Sequence, residues 1–544
     1  MAITRITIDS IINGQGATFY RSGSGQFKKS TGIDPDLSPL PASATARRQG
    51  GIITPSQYAK FSGSALSGAP MWLLTAPKTP TGGTFSGENR AYVYASDGEV
   101  LTYTSVFGDE QVACSPASGA GNGAEYYNNY FYFATPTNIS RFGPLNGTPA
   151  LEDSFWSGSA TFLNKTALVN TTYPVTGGVT YPNHSMHAHS DNKLYFGDFD
   201  STSATANTRG KGLIHYIKTK YGTMNAVTNE GTADDGSSYN ALDLQAGFMP
   251  TDIESYGTDL VISAIQNADG QTLKQGNSAL FFWDTISESF YRKVNIGDPI
   301  IGSLLNVNGN LLVFSGNGNN GYSVGMYDGG YGVTHLEFFE EGSAPLPGAV
   351  DYYGSRVSWG VRDGIMARGY KNPRLPGNAL HHIIKSSSSS ETSTVTCAKY
   401  LQQASGIVPR MIVGWKNGSN YGIDNFSSSA TLTSDFESEI YNINRPFFIR
   451  NIKICLNQAV AAGMGLTPKI IVDDDTTTFT LSTINSTNYA NGEMNIEYKD
   501  VELAGNSTGA VGGLHNFYLK LVYSGTVAVS VLLPIFIEIE EIED

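Results

Sequence analysis

Three stretches of this chain carry residues whose types and spacing could do chemistry. Gly316, Gly318 and Gly321 spell G-x-G-x-x-G, the glycine pattern of a dinucleotide loop. Gly321, Ser323 and Gly325 overlap it and spell G-x-S-x-G, the pattern of a nucleophile elbow. His187, His189 and Asp191 alternate in HSMHAHSD, so a strand would present two imidazoles and a carboxylate on one face, a donor set suited to a transition metal. Asp473, Asp474 and Asp475 are a candidate for calcium.

Each pattern depends on the element that must hold it. A dinucleotide loop and a nucleophile elbow both need a helix directly after the motif, one to receive the pyrophosphate and the other to complete a sharp strand-to-helix turn. Ser323 is succeeded by VGMYDGGYGVTHLEFF, in which glycines interrupt any helical run at about 1 kcal/mol each relative to alanine. The apolar NLLVFSG before the loop and the Tyr322, Val324, Met326 alternation after it read instead as a β-hairpin with a Gly/Asn turn. A serine triad would further need a His and an Asp brought near Ser323. The histidine stretch reads equally as a polar strand beside a turn, because no fourth ligand accompanies it. The aspartate run lacks the D-x-D-x-D-G spacing of a calcium loop and suits a turn between strands. His381-His382 has no assignable role. The expectation is a protein with no catalytic, cofactor or metal residues, and not an enzyme.

Composition narrows the class. Only 15% of the 544 residues are charged, against 61 Gly, 30 Tyr and 26 Phe, which suggests many short strands joined by turns. The net charge of −14 argues against a protein that grips nucleic acid, since phosphate binding rests on clustered Lys and Arg. Lys28-Lys29 and Arg47-Arg48 are the compact basic spots. A negative wall would still let a duplex slide past without sticking. Cys114, Cys397 and Cys455 are odd in number and far apart, and give neither a disulfide framework nor a zinc signature. The first residues hold no apolar core of signal-peptide length, and the apolar run near Val527 to Ile537 is broken by Ser530 and Pro534, so neither export nor membrane insertion is expected. The N-x-S/T sequons at Asn138 and Asn164 are then a product of composition.

Along the chain one unit recurs: an Asn, Asp or Gly turn, an aromatic or β-branched strand, a variable loop and a second strand. It appears as ENRAYVYASDGEVLTYTS, NNYFYFATPTNISRFGPLNG, DNKLYFGDFD with GLIHYIKTKYGT, GTDLVISAIQ with SALFFWDTISESFYRKV, NGNLLVFSGNGNNGYSVGMYDG, and GSRVSWGVRDGIMARGYKN. Recurrence at roughly 40 to 65 residues matches four-stranded propeller blades. The expected fold class is therefore all-β: a β-propeller of about six blades over 51–435, with a series of stacked sandwiches as the alternative. Residues 1–50, rich in Gly and Pro, are expected as an extended N-terminal arm, and 436–544, with five longer strands from PFFIRNIKICLN to VAVSVLLPIFIEIEEIE, as an antiparallel β-sandwich. SSSSS at Ser386 to Ser390 reads as a surface loop.

The order of these parts, an arm with GQGATFYRSGSGQFKKSTGIDPDLSPLP, then ARRQGGIITPSQYAKFSG, then blades, then a sandwich opening with PFFIRNIKI, resembles structural tail proteins of tailed bacteriophages, the nozzle and hub type. The resemblance is one of architecture and carries no motif, so no functional residue transfers with it. It implies a non-enzymatic virion protein, assembled in the host cytoplasm, whose partners are copies of itself in a ring and other tail proteins, with DNA only as passing cargo. The acidic EIEEIED end would face either the DNA lumen or a basic neighbour. Two rivals belong to other classes: a glycan-binding tail fibre, hydrolytic if two carboxylates share a pocket, and a cellular propeller scaffold.

Overall fold

The computed structural model describes residues 3 to 541 apart from 12–26, 35–51, 78–88, 104–109, 115–122, 157–183, 201–210, 220–226, 230–241, 268–272, 318–320, 370–381, 386–392, 402–408, 428–433, 473–476, 500–515 and shorter gaps. Gly318, Arg47-Arg48, Asn138, Asn164, His381, Ser386 to Ser390 and Asp473 to Asp475 lie outside the described residues.

The chain is all-β, a β-propeller joined to a sandwich. Blades 1 to 5 are antiparallel sheets, four-stranded except blade 3, where Leu242–Asp243 adds a short fifth strand, and their innermost strands are Pro70–Pro77, Gly123–Tyr127, Met186–His189, Phe248–Tyr256 and Ile300–Val307. Blade 6 runs from Val350–Tyr353 to His382–Lys385. The six units recognised in the sequence supply the second and third strands of these blades. Their turn signal has a conformational cause: the hairpins turn through left-handed residues, Asn128 (φ 49°) and Asn129 (φ 66°) in blade 2, Asn308 (φ 52°) and Gly309 (φ 87°) in blade 5. Asn and Gly tolerate that region best, so they recur there.

The blade count differs from the expected six. Ser393–Leu401, Arg410–Asn417 and Asn420–Ser427 form a seventh blade, and its outer strand is Gln57–Lys60, from ahead of blade 1. Asp424 to Ser427 pair antiparallel with Lys60 to Gln57, so the ring is fastened by two segments almost the whole propeller apart in sequence. Neighbouring blades interlock through large side chains. Tyr92 meets Phe131 at 4.3 Å, Phe282 meets Tyr327 at 4.7 Å, and the Trp359 indole donates to the Tyr322 hydroxyl at 2.8 Å. Each buried aromatic removes enough apolar surface from water to contribute roughly 1.5–3 kcal/mol. The chain's aromatic richness is thus largely blade packing.

The sandwich also departs from expectation, because the described strands of the first segment belong to its sheets and not to an extended arm. Ile3–Ile8 pairs antiparallel with Val531–Glu541, and Phe27–Thr31 pairs with Ser434–Ser438. Ile8, Ile11 and Phe27 are buried in the sandwich core, Phe27 against Phe436 at 5.4 Å. ITRITI and FKKST are short strand formers embedded in Gly- and Pro-rich text. They build no core alone and complete a core supplied by residues beyond 430. Phe27–Thr31 also touches the outer strand of blade 6 through Thr31 and Ile383, which docks the sandwich on the propeller.

Candidate functional site

Blade geometry places the first strand of every blade on the ring axis, and alternation then turns every second side chain toward the bore. Six of these strands bring a polar residue there: Glu125 from blade 2, His187 from blade 3, Glu254 from blade 4, Asn306 from blade 5, Asp351 from blade 6 and Lys399 from blade 7. Beside them opens a cavity of about 530 Å³, whose walls include His187, His189, Glu254, Ser255, Asn306 and Tyr352.

Two imidazoles organise one wall. His189 Nε2 lies 3.2 Å from the Thr258 carbonyl, which can only accept, so this nitrogen carries the proton. In the neutral ring Nδ1 then accepts from the Ser255 hydroxyl at 2.8 Å, and Ser255 Oγ in turn accepts from His187 Nε2 at 2.6 Å. This relay leaves His187 Nδ1 as a lone pair. His187 Nε2 also stands 3.7 Å from Glu254 Oε1. Asn306 is held rigid, its amide donating to Ser255 O at 2.7 Å and its oxygen accepting from Gly309 N–H at 2.9 Å.

Crowding sets the charge states. Burial, with Asp351 adding to it, pushes the Glu254 carboxyl up to about 7 despite hydrogen bonds from the Ser255 and Asn306 backbone. Burial raises Glu125 likewise, with Lys399 and His187 offsetting part of it. Burial, reinforced by His189 and Lys399, lowers His187 to about 4 although Glu125 opposes it. Lys399 is held above the usual lysine range, chiefly by Asp351 at 3.6 Å. The Lys399 side chain is 41% exposed and His187 18%. That water is the water of the bore, so these groups are wet and yet flanked by protein.

The residues singled out by sequence fall elsewhere or play other parts. His187 and His189 do share a face, as alternation requires, but Asp191 sits in the next turn, bonded to the Tyr195 hydroxyl at 2.7 Å and to Lys193 at 3.2 Å. Among the described residues no group of three or more His, Cys, Asp or Glu is placed to hold a metal ion. Ser323 is a buried mid-strand residue in Tyr322–Tyr327, its hydroxyl 3.1 Å from Asp298 Oδ2 and 3.0 Å from Ser315 Oγ. It lies on the hairpin Asn310–Gly316 to Tyr322–Tyr327, with Gly321 at φ 101°, and the next element is a strand, Val333–Phe339. Gly316 and Gly325 are needed for closeness, since a Cβ on either would strike Gly321 O or Val333 at 2.7 and 2.4 Å. The thiols of Cys114 and Cys397 are buried in blades 1 and 7, and that of Cys455 is partly exposed in the sandwich.

A second titratable group, His184, Asp198 and His215, is wholly buried within blade 3, His215 stacked on Phe196 at 5.3 Å and lowered to about 3 by burial. It is part of the packing. The axial residues escaped the sequence reading although a signal exists. Glu125, Asp351 and Lys399 are each the one charged residue of their strand, Glu254 shares its strand with Asp252, and all four stand one or two positions before a tyrosine: EYY, ESY, DYY and KY.

No family model and no curated protein matches this sequence. Solved structures similar to it include propellers. The Neurospora crassa Pan2 WD40 domain is 9% identical with a TM-score of 0.39, over 68% of this chain and 95% of that one. The Myceliophteria thermophila Cps50 (Swd1) β-propeller domain is 10% identical with a TM-score of 0.39, over 69% and 100%. The Dos1 propeller is 13% identical with a TM-score of 0.34, over 62% and 75%. No helix among the described residues is long and apolar enough to cross a membrane.

Proposed function

We propose that this chain is a non-enzymatic structural protein of a bacteriophage tail, one of a ring of identical copies lying beside the DNA channel and contacting other tail proteins. The observation that carries this reading is a pair of sheet edges on the sandwich. Among the described residues Ile3–Ile8 pairs only with Val531–Glu541, and Asn495–Lys499 only with Phe447–Leu456. A strand with one side unpaired is a template for a neighbour's strand, the usual way rigid β-proteins join edge to edge. The propeller's own bore does not carry the duplex in this reading, because side chains from five blades interact across it. The DNA channel is then the hole between copies.

Three carboxylates of the acidic final strand have cationic partners within the sandwich: Glu538 pairs with Arg5 at 2.6 Å, Glu540 with Arg450, and Glu541 with Arg445 at 3.8 Å. The test is to locate the chain in purified particles by electron microscopy and to measure the mass of the purified protein in solution. A ring in the tail is the expected result. A stable monomer, together with complete, infectious particles lacking the chain, overturns the proposal. The glycan-binding rival has one foothold, the exposed rings of Tyr291 and Tyr331 beside Arg292, on which a sugar could stack. Retention on a glycan array, lost in Tyr331→Ala, would favour it.

A further inference from the structure

We propose that the axial cavity is a binding site for a primary ammonium group, carried by a small amine or by a lysine side chain of a partner. This goes beyond the tail reading and does not depend on it. The cavity is large enough for an ammonium with several methylenes, and Glu254 and His187 are among its walls. Asn306 gives one amide proton to Ser255 O and accepts from Gly309 N–H, and His187 turns the lone pair of Nδ1 away from the relay. Tyr352 supplies a ring to cover the alkyl chain or the charge itself.

Charge selects among ligands. The groups facing Glu254 are Asp252 on its own strand, His187 and His189 from blade 3, Glu125 from blade 2, Asn306 from blade 5, Asp351 from blade 6 and Lys399 from blade 7. Among the described residues four carboxyl groups, Glu254, Asp252, Glu125 and Asp351, thus stand around one ammonium, and Lys399 is already engaged by Asp351. An anion would be repelled. A neutral sugar would leave the imbalance as it stands, and a metal lacks a set of three ligands among the described residues. An added ammonium lets Glu254 ionise, which the empty cavity resists.

The test is equilibrium dialysis of the full chain against labelled putrescine and, separately, labelled Nα-acetyl-lysine methylamide, with labelled glucose as the neutral competitor. Binding of at least one amine is expected, about tenfold weaker at pH 6 than at pH 8 because the proton on Glu254 must first leave. Putrescine alone would identify a small amine as the source, and the lysine derivative alone or both would identify a side chain. Glu254→Gln, which keeps shape and removes charge, should weaken binding at least tenfold at pH 8, while Ser323→Ala, in blade 5 and remote from the cavity, should leave it unchanged. Absence of amine binding, glucose binding in its place, or unchanged affinity in a folded Glu254→Gln protein overturns the proposal.

Discussion

The propeller bore and the outer face of the sandwich are both charged, yet they treat charge in opposite ways. On the sandwich face acidic residues have basic or amide partners across the sheet: Arg5 with Glu538, Arg450 with Glu540, Lys453 with Glu497 at 3.1 Å, and Asn451 with Glu497 at 2.8 Å. These pairs lie in water, and Glu497 and Glu538 are held below the usual carboxylate range by their hydrogen bonds to Asn451 and Arg5. In the bore, carboxyls outnumber cations, and Glu254 is pushed the other way. The same residue type is therefore costly to ionise in one region and comfortable in the other. Position relative to water and to a counter-charge decides which.

The comparison can be broken most forcefully through the core beneath the sandwich face. Phe27→Ala removes a wholly buried ring that the N-terminal segment lends to the sandwich, and should cost about 3–5 kcal/mol in the urea unfolding of that domain. A loss under about 1 kcal/mol would return this segment to the status of a loose arm. Next in size is Glu254→Gln. The raised carboxyl is accommodated fully below about 4.5 and costs stability as pH rises through about 7, so the variant should be more stable than the parent at pH 8 by roughly 1–3 kcal/mol and indistinguishable near pH 4. His187 acts in the other direction: its lowered basicity costs stability as pH falls from about 6.5 through 4, so His187→Gln should flatten the acid limb of the stability profile.

Ser323→Ala loses hydrogen bonds to Asp298 and Ser315 and should cost about 1 kcal/mol with assembly intact, and labelling of Ser323 by a serine-directed probe would contradict its structural role. The smallest effect belongs to the sandwich face. Arg5→Ala breaks an exposed pair and should cost less than about 1 kcal/mol, a difference that fades in molar salt. A larger, salt-insensitive loss would mean that the face behaves like the bore.

What could be read from the sequence was what local backbone rules control. Asn128-Asn129 and Asn308-Gly309 mark hairpins because few residues accept a positive φ, and those turns exposed the repeat. Blade 7 escaped because its outer strand, Gln57–Lys60, lies ahead of blade 1. The N-terminal strands escaped for a related reason, since the partners that make ITRITI and FKKST into strands lie beyond residue 430. The axial site was illegible because no single strand contains it. Glu125 and Lys399 become neighbours only when the ring closes.

That closure sets an order of events on the ribosome. Gln57–Lys60 emerges early and has no antiparallel partner until Asn420–Ser427 has been made, and Ile3–Ile8 waits longer still, for Val531–Glu541. Until then these early strands are sticky edges in search of a mate. A chain released short of Ser427 has neither a closed ring nor a finished sandwich, and one released short of Val531 leaves Ile3–Ile8 unpaired. The early and late strands thus act together as a completeness check: only a product that reaches the last of them can give Gln57–Lys60 and Ile3–Ile8 their antiparallel partners, and truncated copies leave these strands to proteases and to aggregation.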